Sequence, residues 1–174
     1  MGAGLALLAL LCGAAQGALI NLQAYVTYAL LNNDGTTPLS DGSIVQIVGS
    51  SNNIADPMPM IGGSNVTGFV SGDDVILATI TIQSGMLGSN GTFFAGDIYF
   101  QSDEIKYMYI RFYDSAGPLT GLVYWGESPI TNAQHDQFGV VEMDFVGNYA
   151  TTNLNNFVTI PEPGIVELDS LAGA

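Results

Sequence analysis

The side chains able to hold or move charge are few in kind: sixteen carboxylates stand against two basic residues, Lys106 and Arg111, and a single histidine, His135. Carboxylate and amide oxygens gathered in turns are the donors that a hard cation selects, so calcium is the ligand this inventory allows for. Three clusters qualify by type: Asn32-Asn33-Asp34, the Asp73-Asp74 pair, and Asp103-Glu104. None matches the EF-hand loop or the glycine-rich nonapeptide of calcium-binding β-rolls. The same residues also build turns without any ion, and no other cofactor is expected.

Nucleophilic and acid–base chemistry finds less. Gly126-Glu127-Ser128-Pro129 has proline where a nucleophile elbow continues towards its second glycine. Asp114-Ser115-Ala116-Gly117 approximates the aspartic-protease triplet in one copy, and His135 beside Asp136 does not make a zinc site unaided. Glu127, Glu142 and Asp144 are glycosidase candidates by type only. Glu142 and Asp144 alternate with Val141, Met143 and Phe145, the pattern of a strand with a solvated outer face. An enzyme is not expected.

Aromatic residues offer a binding surface instead. In the segment 106–113, Met108, Ile110 and Phe112 alternate with Tyr107, Tyr109, Arg111 and Tyr113. With Trp125, the three tyrosines form a platform that stacks on sugar rings or is covered by another subunit, since such side chains combine contact area with a polar tip. Met58 and Met60 lie in the loop 49–63, where Pro57 and Pro59 forbid a central strand, and are further contact candidates.

The elements that must position these groups are strands. From Ala18 onward, apolar/polar alternation is punctuated by Gly, Asn, Asp and Pro at short intervals, and no stretch keeps a helical period. Strand-like runs lie at 18–31, 43–48, 75–82, 92–94 with 97–100, 106–113, 120–125, 138–146 and 156–160, with a bulge or bend at Ala95-Gly96. The pattern predicts one all-β domain of eight or nine strands, an antiparallel sandwich or jelly roll. The only cysteine, Cys12, precedes this region, so disulfides play no part. A formal charge of −14 excludes nucleic acid as a partner, which needs clustered Lys and Arg, and disfavours an anionic membrane surface.

Residues 1–17 read as a secretory leader, with an apolar run from Leu5 to Leu11 and small residues before Ala18, although no basic residue precedes that run. Residues 18–160 then form the β-domain and 161–174 a tail, and no stable membrane insertion is expected after leader removal. The leader, together with Ile160-Pro161-Glu162-Pro163-Gly164, resembles the termini of bacterial PEP-CTERM proteins. The resemblance implies export, handling by an exosortase, and a place in extracellular matrix or a surface layer. The tail departs from that pattern: Ile165 to Ala174 carries two acids and no basic residue where the family has an apolar segment and a basic cluster. Asn65-Val66-Thr67 and Asn90-Gly91-Thr92 fit the glycosylation acceptor pattern.

These readings converge on a secreted structural subunit that assembles with copies of itself into a filament, tube or matrix layer, with residues 18–31 as a strand suited to exchange. The alternative is a monomeric module that binds extracellular polysaccharide through Trp125 and the tyrosines, with calcium as an aid.

Overall fold

The computed structural model describes residues 17–58, 61–62, 70–83, 90–116, 119–134 and 139–159. Every regular element among them is a strand: β1 (Leu19–Tyr25), β2 (Ile44–Ser50), β3 (Ile61–Gly62), β4 (Val75–Thr81), β5 (Phe94–Gln101), β6 (Tyr107–Tyr113), β7 (Gly121–Glu127), β8 (Thr131–Asn132), β9 (Val140–Asp144) and β10 (Asn153–Thr159). They form a three-stranded sheet of order β5-β1-β9 and a larger sheet of order β3-β10-β7-β6-β2-β4, with β8 paired to β6. The expected all-β sandwich is present. Its sheets are mixed, because β1 runs parallel to β9 and β10 parallel to β3. A parallel pair needs a long crossover, and here the chain passes through the large sheet between Asn21 and its partner Val140.

The period-2 alternation sets the core. Ile20, Leu22 and Ala24 of β1 face inward with Phe100 and Ala95 of β5 and Val141 and Met143 of β9. Against them pack Val45 and Ile47 of β2 and Met108, Ile110 and Phe112 of β6. Each large apolar side chain buried in this way contributes about 1.5–3 kcal/mol, enough for the layer to fix register without disulfides.

The bend expected at Ala95-Gly96 is a bulge within a continuous β5: Leu22 pairs with Ile98 and Ala24 with Ala95, so two residues oppose one. Asp97, within it, has φ 58°, a conformation that aspartate tolerates better than most residues. The first strand ends at Tyr25, short of the 18–31 run read from the sequence, and β1 is the central strand of its sheet. Donating it to a neighbour would break two ladders.

The alternation of β6 predicts one buried and one open face. Both are buried: Tyr109, Arg111 and Tyr113 are as inaccessible as Met108, Ile110 and Phe112. The cause lies in other segments of the chain, which close over the outer face of the large sheet.

Candidate functional site

On that outer face Tyr109, Arg111 and Tyr113 stand beside their cross-strand partners Val48, Gln46 and Ile44. Residues 51–58, following β2, and 70–74, preceding β4, come down onto this row. The Arg111 guanidinium, 1% exposed, donates to the backbone carbonyl of Asp56 and, at 3.3 Å, to Glu127. It lies 5.0 Å from the centre of the Tyr109 ring, a cation–π distance. The Tyr113 hydroxyl donates to Gln46 at 2.7 Å and sits 3.4 Å from the Met58 sulfur. Its ring meets Phe157 edge to face at 6.1 Å. Burial pushes both tyrosine hydroxyls well above their ordinary range, with the hydrogen bond to Asp74 adding to the effect at Tyr109. They remain neutral donors.

Three carboxylates meet where the two loops touch. One oxygen from each of Asp56, Asp73 and Asp74 lies within 4.8 Å of one from each of the others. Asp56 Oδ2 accepts from the Asp73 amide at 3.0 Å, and Asp74 Oδ2 accepts from the Asp56 amide at 2.8 Å and the Tyr109 hydroxyl at 2.5 Å. Gly72 makes the approach feasible: its φ is +62°, and a Cβ there would stand 1.8 Å from Asp56 Oδ2. Asp73 clasps the turn after β2, accepting from the Ser51 amide at 2.8 Å and the Ser51 hydroxyl at 2.5 Å, and from Ser50 Oγ and the Asn52 amide groups. Those bonds, the Ser51 hydroxyl foremost, hold its carboxyl below the ordinary 3.8 despite an opposing desolvation effect. Asp74 is 5% exposed, and its Oδ1 has no hydrogen-bond partner among the described residues. A bare carboxylate oxygen in a buried position is costly, because water has been removed and nothing replaces it.

The other acidic clusters read from the sequence look different. Asp34 accepts from the amides of Thr36 and Thr37, both at 2.7 Å, and from the Thr37 hydroxyl at 2.6 Å, while its own amide donates to Asn32. Its carboxyl is thereby pushed far below its usual range by the Thr37 hydroxyl first and the two amides next. Those bonds are spent inside its own turn. Asp103 and Glu104 are exposed in the turn after β5, and neither belongs to the three-carboxylate group. Thus the structure joins Asp73 and Asp74, as proximity in sequence allowed, and adds Asp56, which sequence reasoning missed. Asp56 lies in the proline-bearing loop, 17 residues before Asp73, where its only signal was an Asp-Pro turn.

The expected aromatic platform is not a surface. Tyr109 and Tyr113 are fully buried, Tyr107 and Trp125 are partly buried, and Met58 is buried against Tyr113. Trp125 packs against the cluster of Ile44, Met58, Tyr113, Leu119, Val123 and Phe157, and Asn155 is placed to accept from its indole nitrogen at 3.1 Å. Met60, His135 and the Pro161-Glu162-Pro163 tripeptide lie outside the described residues, as does most of the leader. Glu142 is exposed as read, and Asp144 accepts from the amide and hydroxyl of Thr27. Ser128 is buried and accepts from the Ile110 amide at 3.1 Å.

A second region stands out at the other end of the large sheet. Leu154 pairs with Tyr124, and Asn156 with Leu122, on the face that continues from Phe112 and Gly126. The three-stranded sheet does not reach this wing: Leu122 is 72% and Leu154 47% exposed. No charged residue occurs in 121–126 or 153–159.

The chain matches no known protein family, and no curated protein or solved structure is significantly similar to it.

Proposed function

We propose that this protein is an exported structural subunit that associates with copies of itself through the uncovered β7–β10 wing, rather than a catalyst. The observation that carries the reading is the adjacent, exposed Leu122 and Leu154 on the charge-free stretches 121–126 and 153–159 of β7 and β10, in a chain whose net charge is −14. Copies of so acidic a protein repel one another, and the neutral wing is where two can approach at least electrostatic cost. Exposed apolar patches rimmed by polar groups mark association surfaces, and Asn153, Asn155 and Asn156 supply polar neighbours without charge. The leader and the Pro-Glu-Pro resemblance support a location outside the cytoplasm, in matrix or a surface layer. The polysaccharide-binding alternative loses its main ground, since Tyr109 and Tyr113 are closed off inside the domain.

Light scattering coupled to size-exclusion chromatography, followed by electron microscopy, tests this. The wild-type chain should form oligomers that grow with concentration. The Leu122→Glu/Leu154→Glu double variant should shift to monomer and stay folded, because neither side chain belongs to the core of the single chain. A wild-type protein that stays monomeric throughout would sink the reading.

A further inference from the structure

We propose that Asp56, Asp73 and Asp74 bind a calcium ion that fastens the 51–58 loop to the 70–74 turn over the outer face of the large sheet. Two observations carry this. Three carboxylates offer oxygens within 4.8 Å of one another, a spacing at which like charges repel and which oxygens sharing one cation adopt. Independently, Asp74, which is nearly inaccessible, carries an oxygen without a hydrogen-bond donor among the described residues, although its other oxygen accepts hydrogen bonds from the Asp56 amide and the Tyr109 hydroxyl. Buried carboxylates in folded proteins have their oxygens matched by donors or by a metal. An oxygen of this carboxylate lies within 4.8 Å of one from each of Asp56 and Asp73, which puts the space the three share within reach of the missing partner.

The donor set selects the ion. All three side chains are hard oxygen ligands, with no histidine or cysteine beside them among the described residues, which suits calcium over zinc or copper. Magnesium requires a tighter octahedron and sheds water reluctantly, so it should bind more weakly. The loops supply ligands from both sides: Asp56 from one, Asp73 and Asp74 from the other. Gly72, where a side chain would collide with the Asp56 carboxylate, lets the two strands of chain close around the site. Binding would therefore be coupled to the order of both loops and to the burial of Arg111 and Tyr109 beneath them.

The test is a calcium titration of the full chain after chelation, read by thermal melting and by terbium luminescence. Calcium sites in extracellular modules have dissociation constants of about 0.1–1 mM, so 10 mM calcium should raise Tm by about 3–11 °C, and magnesium by less. Terbium should bind at the same site and be sensitised through Tyr109, whose hydroxyl touches Asp74. Asp74→Asn should abolish both responses. Should that variant fail to fold, Asp56→Asn, at a less buried position, should weaken calcium binding at least tenfold while keeping the fold. An unchanged melting curve with calcium and no terbium signal would overturn the proposal, as would wild-type responses in a folded Asp56→Asn or Asp74→Asn protein. Terbium sensitisation through Tyr109 does not require association, so failure of the assembly reading would leave this result intact.

Discussion

Two acidic turns, alike in sequence, end up in opposite states. Around Asp34, the carboxylate is enclosed by donors three residues or fewer away, and the Asn32–Thr37 turn is complete by itself. Around Asp73-Asp74, the carboxylates reach across 17 to 35 residues to Ser50, Ser51, Asp56 and Tyr109, and one oxygen is left bare. The difference teaches that an Asx-type turn consumes its own charge, whereas a carboxylate used to fasten distant segments is left with coordination capacity. The first kind of turn shapes the chain locally. The second closes a loop over a sheet, and here it is what turns the tyrosine–arginine row from surface into interior.

The comparison is broken most forcefully by removing what the fastened loops cover. Arg111→Ala should cost about 2–4 kcal/mol in urea unfolding: it removes a guanidinium packed over Tyr109, strands the Asp56 carbonyl and releases Glu127. Glu127 is 37% exposed and can rehydrate, which keeps the figure below that of a fully buried pair. A cost under about 1 kcal/mol would mean that the loops do not hold this face. Tyr109→Phe should cost about 1–2 kcal/mol, since it keeps the ring and deletes one donor to an already under-supplied Asp74. The matching local change, Asp34→Ala, should lower Tm by only about 2–4 °C and leave the spectroscopic environment of the tyrosines and Trp125 unaltered. A tyrosine signal that moved in this variant would show that the two turns are coupled.

Acid sharpens the contrast with the smallest effect. Asp34 and Asp73 are both held below the ordinary 3.8 by hydrogen bonds to the charged form. A depressed folded value means the stabilisation is complete above the unfolded pKa and is lost as pH falls through the folded one. Melting temperature should therefore be level from pH 7 to about pH 5 and decline below about pH 4. Asp34→Asn should flatten part of that acid limb, because it removes a group whose ionisation is linked to folding. An acid limb identical to wild type would show that the Asp34 turn survives in the unfolded chain.

Much of the fold was legible along the chain. The alternation of Val75 to Thr81 and of Tyr107 to Tyr113 locates β4 and β6 to within a residue, because a pleated strand sends successive side chains to opposite faces whatever surrounds it. The glycine at 96 marked the bulge, one residue from Asp97 where the strained conformation lies. The Asp73-Asp74 pair was visible as a carboxylate cluster, and Asp34 was visible in the same way. Periodicity was silent on the 51–58 loop, and Asp56 carried no pattern to tie it to a turn downstream.

What the sequence determined by itself was local: strand positions, the two faces of each strand, the turns, the acidic balance and the want of clustered bases. Whether a second face is covered, and whether a carboxylate finds its donors nearby or must share a space with two others, was decided only by the tertiary structure. The physical reason is that burial and hydrogen-bond satisfaction depend on which distant segments arrive at a side chain. Asp34 meets its donors within its own turn. Asp74 meets Tyr109, 35 residues away, on the far side of a loop that closes only when the sheet is built.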